Sequence, residues 1–213
     1  MPLFFHERIS DTLELGLWKI TESVDELVSM LFLNKEEFEK LHSFGTNIRK
    51  CQWLSYRVLI RTLVKADYIY RIFYDDNNRP YLTNPKRSIS ISHSDKYSAV
   101  LISSDDRSSQ GIDIEAVHPK VLKVKEKFLQ PTEITDWEKD GSVEKLIVMW
   151  SAKEALFKKI GKQGLSLKDH FILNPFVLGD GDSFSAEIIN GKELINTKVF
   201  YRIFGELVIT FTD

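Results

Sequence analysis

The sequence predicts an α+β fold in two similar lobes, each a long helix packed on an antiparallel sheet. Three observations predict it. Two stretches, 48–64 and 143–160, place apolar residues at helical spacing. Alternating or β-rich runs occur both before and after position 110, at 88–92 and 97–103, then at 184–189, 197–203 and 206–212. Between the two sets, residues 105–110 form a polar break without one apolar side chain. The lobes are therefore expected at 1–109 and 110–213. No period of 20 to 50 residues recurs, so a solenoid is not expected.

In chain order, residues 12–20 (TLELGLWKI) alternate apolar and polar positions and read as a strand. Residues 23–43 hold two helical patches, with Asn34 as a cap and Glu36 and Glu37 in the turn that follows. In the helix at 48–64, Trp53, Leu54, Val58, Leu59 and Leu63 make one face, while Arg49, Arg57 and Arg61 recur on another. Asp75 to Asn78 form a turn cluster ahead of Arg79 and Pro80. The strands at 88–92 and 97–103 flank a short turn of His93, Ser94, Asp95 and Lys96. A short strand follows at 111–115, then helical segments at 121–128 and 132–139. Gly161 and Gly164 close the second long helix.

A chain of 213 residues can bury a substantial core, and 43% hydrophobic with 28% charged residues is ordinary for a water-soluble globular protein. The formal net charge of −2 argues against bulk nucleic-acid binding but leaves room for a local basic pocket. One cysteine, Cys51, rules out an intrachain disulfide and suits a reducing compartment. Its place in a helical pattern reads as packing. No secretory leader or membrane span is read from the opening residues, so a cytoplasmic location is expected.

Three constellations could carry chemistry. On a strand Asp113 and Glu115 share a face, about 7 Å apart, with Ile112 and Ile114 turned to the core. Such a pair can hold a hard cation, and equally suits a half-exposed strand with a solvated acidic face. On the second long helix Glu154 and Lys158 are one turn apart, with Trp150 one turn earlier. The glutamate could complete a metal site or take a proton, and the lysine could hold a phosphate; a surface ion pair beside a core tryptophan has the same spacing. Finally, Ser92, His93 and Ser94 end a strand in a hydroxyl-rich turn that could bind phosphate, or do nothing.

Taken in order, these segments resemble the Sfp-type phosphopantetheinyl transferases. The matching segments are Arg79-Pro80, Ser92-His93-Ser94, Gly111 through Glu115, and Trp150 through Lys158 with its Lys153-Glu154-Ala155 centre. The arginine-bearing helix around Arg57, the segment from Phe128 to Glu133, and Gly164 to Leu167 also resemble family segments. The resemblance covers about residues 47–168, and Arg79 departs from a more usual lysine.

That resemblance implies a two-lobed monomer binding coenzyme A in the cleft between its lobes. Asp113, Glu115 and Glu154 would coordinate Mg²⁺, and Lys158 would stabilise charge as the phosphoanhydride breaks. Glu154 would hold the metal, deprotonate the acceptor serine, or do both. Arg57, Arg79, Ser92 and His93 would gather the 3′-phosphate side of the nucleotide, with Arg49 a further candidate. The acceptor implied is an apo acyl or peptidyl carrier protein of fatty acid, polyketide or nonribosomal peptide synthesis. The run Lys120, Lys123, Lys125 and Lys127 could meet its acidic surface, or be plain solvated face. Two rivals stand beside it: a Mg²⁺-dependent transferase or hydrolase acting on a nucleotide diphosphate, which the same carboxylates and lysine could serve, and a non-catalytic carrier-binding module, against which intact Asp113, Glu115, Glu154 and Lys158 argue.

Overall fold

The computed structural model describes residues 3–65, 70–84, 86–106, 109–161 and 163–213. The chain divides into two compact units, Met1–Asp75 with Pro80–Arg107, and Asp76–Arg79 with Ser108–Asp213. Positions 107 and 108, in the predicted polar break, lie outside the described residues.

The first unit holds strands β1 (Leu3–Arg8), β2 (Leu13–Lys19), β3 (Ile72–Tyr74), β4 (Pro80–Thr83), β5 (Lys86–His93) and β6 (Tyr97–Ser103). They pair antiparallel in the order β1-β2-β6-β5-β4-β3. Helices α1 (Val24–Ser29) and α2 (Lys35–His42) each open with a reciprocal capping box, Ser23 with Glu26 and Asn34 with Glu37. Helix α3 (Asn47–Val64) starts at Thr46, whose hydroxyl accepts from the Arg49 amide. It lies across β2 and β6, and its Leu54, Val58 and Leu59 join Trp18, Leu27, Leu41 and Val100 in one core.

The second unit begins with β7 (Ile112–Ala116), a 3₁₀ turn over Pro119–Lys123, α4 (Lys125–Phe128) and α5 (Pro131–Glu138). Next come α6 (Val143–Ile160), α7 (Leu167–His170), β8 (Phe171–Leu173), β9 (Ser183–Asn190), β10 (Glu193–Phe204) and β11 (Leu207–Thr212). The sheet runs β7-β11-β10-β9-β8, again antiparallel throughout. Helix α6 lies across β7 and β11, with Leu146, Val148, Met149, Ala152 and Leu156 buried against Phe128, Phe171, Ile188 and Val208. Gly161 ends it in the left-handed region, φ 66°, and its amide closes on Phe157 O.

The two units repeat one wiring. A strand (β2 or β7) leads to an 18-residue helix (α3 or α6), then to four strands whose last pairs back beside the first. Among the described residues strand β1 has no counterpart in the second unit. The α+β class and the helix-on-sheet plan of each unit thus agree with the sequence reading. Strands β1, β3, β4 and β8 go beyond it, because they are short or lie at sheet edges where alternation is weak. The segment read as one helix over 121–128 breaks at Val124, whose φ of −121° leaves the helical region. Among the described residues no helix is long and apolar enough to cross a membrane.

Candidate active site

The second unit brings its predicted carboxylates together by packing β7 close under α6. Gly111, just before β7, makes this possible: a Cβ there would lie 1.9 Å from Ala155 O and 2.8 Å from the Lys159 amide. At this spacing Asp113 reaches Lys158, whose Nζ donates to Asp113 Oδ1 and to Ile112 O, each at 2.9 Å. Asp113 is buried while Lys158 is half-buried, so the ion pair is partly shielded from solvent. Two residues on, Glu115 accepts a 3.0 Å hydrogen bond from the Trp150 indole. Ile112 and Ile114 are buried on the opposite face of the strand.

Glu154 completes the group. Burial pushes its carboxyl above the ordinary glutamate range, the Asp113 charge pushes it further, and Lys158 partly offsets both. Glu115 is raised for the same leading reason, burial, and then by Asp113; the Trp150 hydrogen bond pulls the other way, and Glu154 adds to the rise. Among the described residues no three His, Cys, Asp or Glu side chains stand as a ready metal cluster. The donor chemistry nonetheless fits a hard divalent cation: three carboxylates, two of them pushed up partly by their neighbours' charge, are what such an ion would relieve.

Behind this face lies a second, wholly buried pair. Lys153 has no exposure, and its Nζ donates to Glu133 Oε2 at 2.7 Å. The same carboxylate accepts from the amides of Gln130, at 2.7 Å, and Leu173, at 2.8 Å, tying α5 and β8 to α6. Burial lowers the Lys153 pKa, and Glu133 opposes that shift. The Trp150 ring meets Phe128 edge-on, centroids 5.0 Å apart. The segment from Phe128 to Glu133 thus touches α6 at both ends. Sequence reading gave these two residues no task; adjacent Lys153 and Glu154 on one helix must face different surroundings, which was the available signal.

The candidate phosphate-binding residues fall into separate places. In the first unit Arg49, from the first turn of α3, reaches His93 at the end of β5, Nη1 to Nε2 2.8 Å. A guanidinium only donates, so Nε2 accepts. Ser92, the preceding residue, is buried in β5. Arg57 lies two turns further along α3, about 12 Å by helical rise. Its guanidinium is buried over the Trp53 ring, 3.5 Å from the centroid; it donates to Trp53 O at 3.3 Å and to the Tyr56 hydroxyl, and lies 3.9 Å from Glu37. Arg79 belongs to the second unit. It packs over Gly161 at the end of α6, where a Cβ would come within 2.8 Å of its side chain, and donates to Ser109 Oγ at 3.1 Å.

Residues 109–212, the part holding β7 and α6, match the 4′-phosphopantetheinyl transferase superfamily. The 4′-phosphopantetheinyl transferase Sfp of Bacillus subtilis (strain 168) is 30% identical over 147 residues, 65% of this chain and 64% of that protein. A 4′-phosphopantetheinyl transferase of Bacillus subtilis is 32% identical over 120 residues, 54% of this chain and 50% of the relative. The 4′-phosphopantetheinyl transferase ffp of Bacillus subtilis is 30% identical over 155 residues, 68% and 66% respectively. The matches span less than two thirds of each relative's length. With its acidic strand and Lys-Glu helix assembled on one sheet, the C-terminal half of the chain is similar to the 4′-phosphopantetheinyl transferase superfamily, and the chain resembles the Sfp-type members named above.

Proposed function

We propose that this protein moves the phosphopantetheine arm of coenzyme A onto a serine of an apo acyl or peptidyl carrier protein and releases 3′,5′-ADP. One observation carries the reading: Asp113, Glu115, Glu154 and Lys158 stand together on β7 and α6, in the region that matches the superfamily.

Asp113, Glu115 and Glu154 would hold Mg²⁺, which when bound supplies positive charge against the pyrophosphate. Lys158, already paired with Asp113, is the donor for charge developing on the phosphoryl oxygens. Glu154, raised by burial, is a stronger base than an exposed glutamate and takes the serine proton, besides contributing to the metal site. The serine oxygen bonds to the phosphorus bearing the pantetheine arm, and the bond from that phosphorus to the bridging oxygen breaks. The electron pair leaves with 3′,5′-ADP. Arg49 and His93 are the leading 3′-phosphate ligands, with Ser92 and Arg79 as further candidates. Arg57, enclosed by Trp53, Tyr56 and Glu37, serves the fold of the first unit instead. The lysine run after β7 is the docking candidate for an acidic carrier. A cytoplasmic monomer completes the reading.

The test is the intact mass of an apo carrier after incubation with the protein, coenzyme A and Mg²⁺. A gain of one phosphopantetheine, lost with EDTA or in Asp113→Ala, supports the proposal. Coenzyme A breakdown without a carrier would favour a nucleotide-acting enzyme. Carrier binding without mass gain would favour a docking module.

A further inference from the structure

We infer that Gln52 is a positioning residue that sets the geometry of the Arg49–His93 pair for a 3′-phosphate. The inference rests on the reading above that this pair meets the nucleotide's 3′-phosphate.

Gln52 lies on α3, one turn after Arg49, and is almost fully buried at 7% exposure. Its amide is used at both ends. Oε1 accepts from Arg49 Nη1 at 3.4 Å, and Nε2 donates to Ser94 O at 3.0 Å. Ser94 follows His93, and its amide closes the turn on Tyr97 O at 2.8 Å. Arg49 Nη1 meets His93 Nε2 at 2.8 Å, so the four residues form a ring joining the start of α3 to the end of β5. Only a side chain that accepts and donates can hold both parts of it. A glutamate would accept from Arg49 but oppose the Ser94 carbonyl, and an apolar residue would do neither.

A buried amide leaving two partners unmet costs more than a neutral swap, which gives the ring a rigid centre. The two nitrogen-bearing groups that would meet a phosphate come from different elements, a helix and a strand end. Gln52 is what relates them.

The experiment compares binding of 3′,5′-ADP and 5′-AMP, which differ only in the 3′-phosphate, by calorimetry on the whole chain. In Gln52→Met, of similar volume, the preference for 3′,5′-ADP should fall on the order of tenfold, with 5′-AMP affinity unchanged. Gln52→Glu should lose more, because it adds a negative charge beside the site. Preference retained in Gln52→Met, or equal loss for both nucleotides, would overturn the inference and leave Gln52 a packing residue. No preference in the parent would remove the 3′-phosphate assignment, and this inference with it. The carrier mass assay reads the transfer reaction separately, so the two failures are distinguishable.

Discussion

Glu154 works under two pressures, enclosure and the nearby charge of Asp113, and both oppose its ionisation. Its folded pKa is above its unfolded one, so between those values the native state binds more protons than the unfolded chain. Stability from this group is full below the ordinary glutamate range and is lost as pH rises through the folded value. Glu115 acts in the same direction. Without divalent cation, Glu154→Gln should therefore gain in melting temperature relative to the parent as pH rises above the ordinary glutamate range; a pH-independent difference would contradict it. Adding Mg²⁺ near neutrality should stabilise the parent more than the variant, seen in the same thermal scans. In the carrier assay Glu154→Gln should abolish the mass gain while 3′,5′-ADP still binds. These residues were legible because their spacing is local, two apart on a strand or four on a helix. The bonds of Trp150 to Glu115 and Lys153 to Glu133 were not, since their partners lie 35 and 20 positions away.

Elements β7 and α6 approach so closely that neither can shift without the other. Gly111→Ala would drive a methyl group into the backbone of Ala155, a contact no rotamer change relieves. It should cost about 3 kcal/mol, the upper part of the overpacking range, in denaturant unfolding. Lys153→Met strands the Glu133 charge in the core and should cost about 3–5 kcal/mol, while adding Glu133→Gln should restore much of that. The long helices were readable from their apolar stripes and caps, which are local properties. The pairing of β7 with β11 was not, because an antiparallel register spanning the whole second unit leaves no local mark.

Across the molecule, the shared wiring of β2-α3-β3 to β6 and β7-α6-β8 to β11 accounts for an α+β class that was visible in the sequence, although the two halves share little identity. What was conserved between them is the order of a strand, a long helix and a returning meander, and many side chains satisfy the same pattern. The chemistry is nonetheless unequal. The acidic group belongs to the second unit alone, while Arg49, Gln52 and His93 belong to the first.

The second unit's boundary has a consequence for recombination among relatives. The match to the superfamily model starts at 109, yet the compact body it belongs to also takes in Asp76–Arg79, a stretch between β3 and β4. A chimera spliced at the polar break would exchange α6 but leave behind the arginine seated on its terminal glycine. Such a hybrid would inherit a mismatched corner at Gly161 and Ser109, which transplanting residues 76–79 along with the C-terminal half should repair.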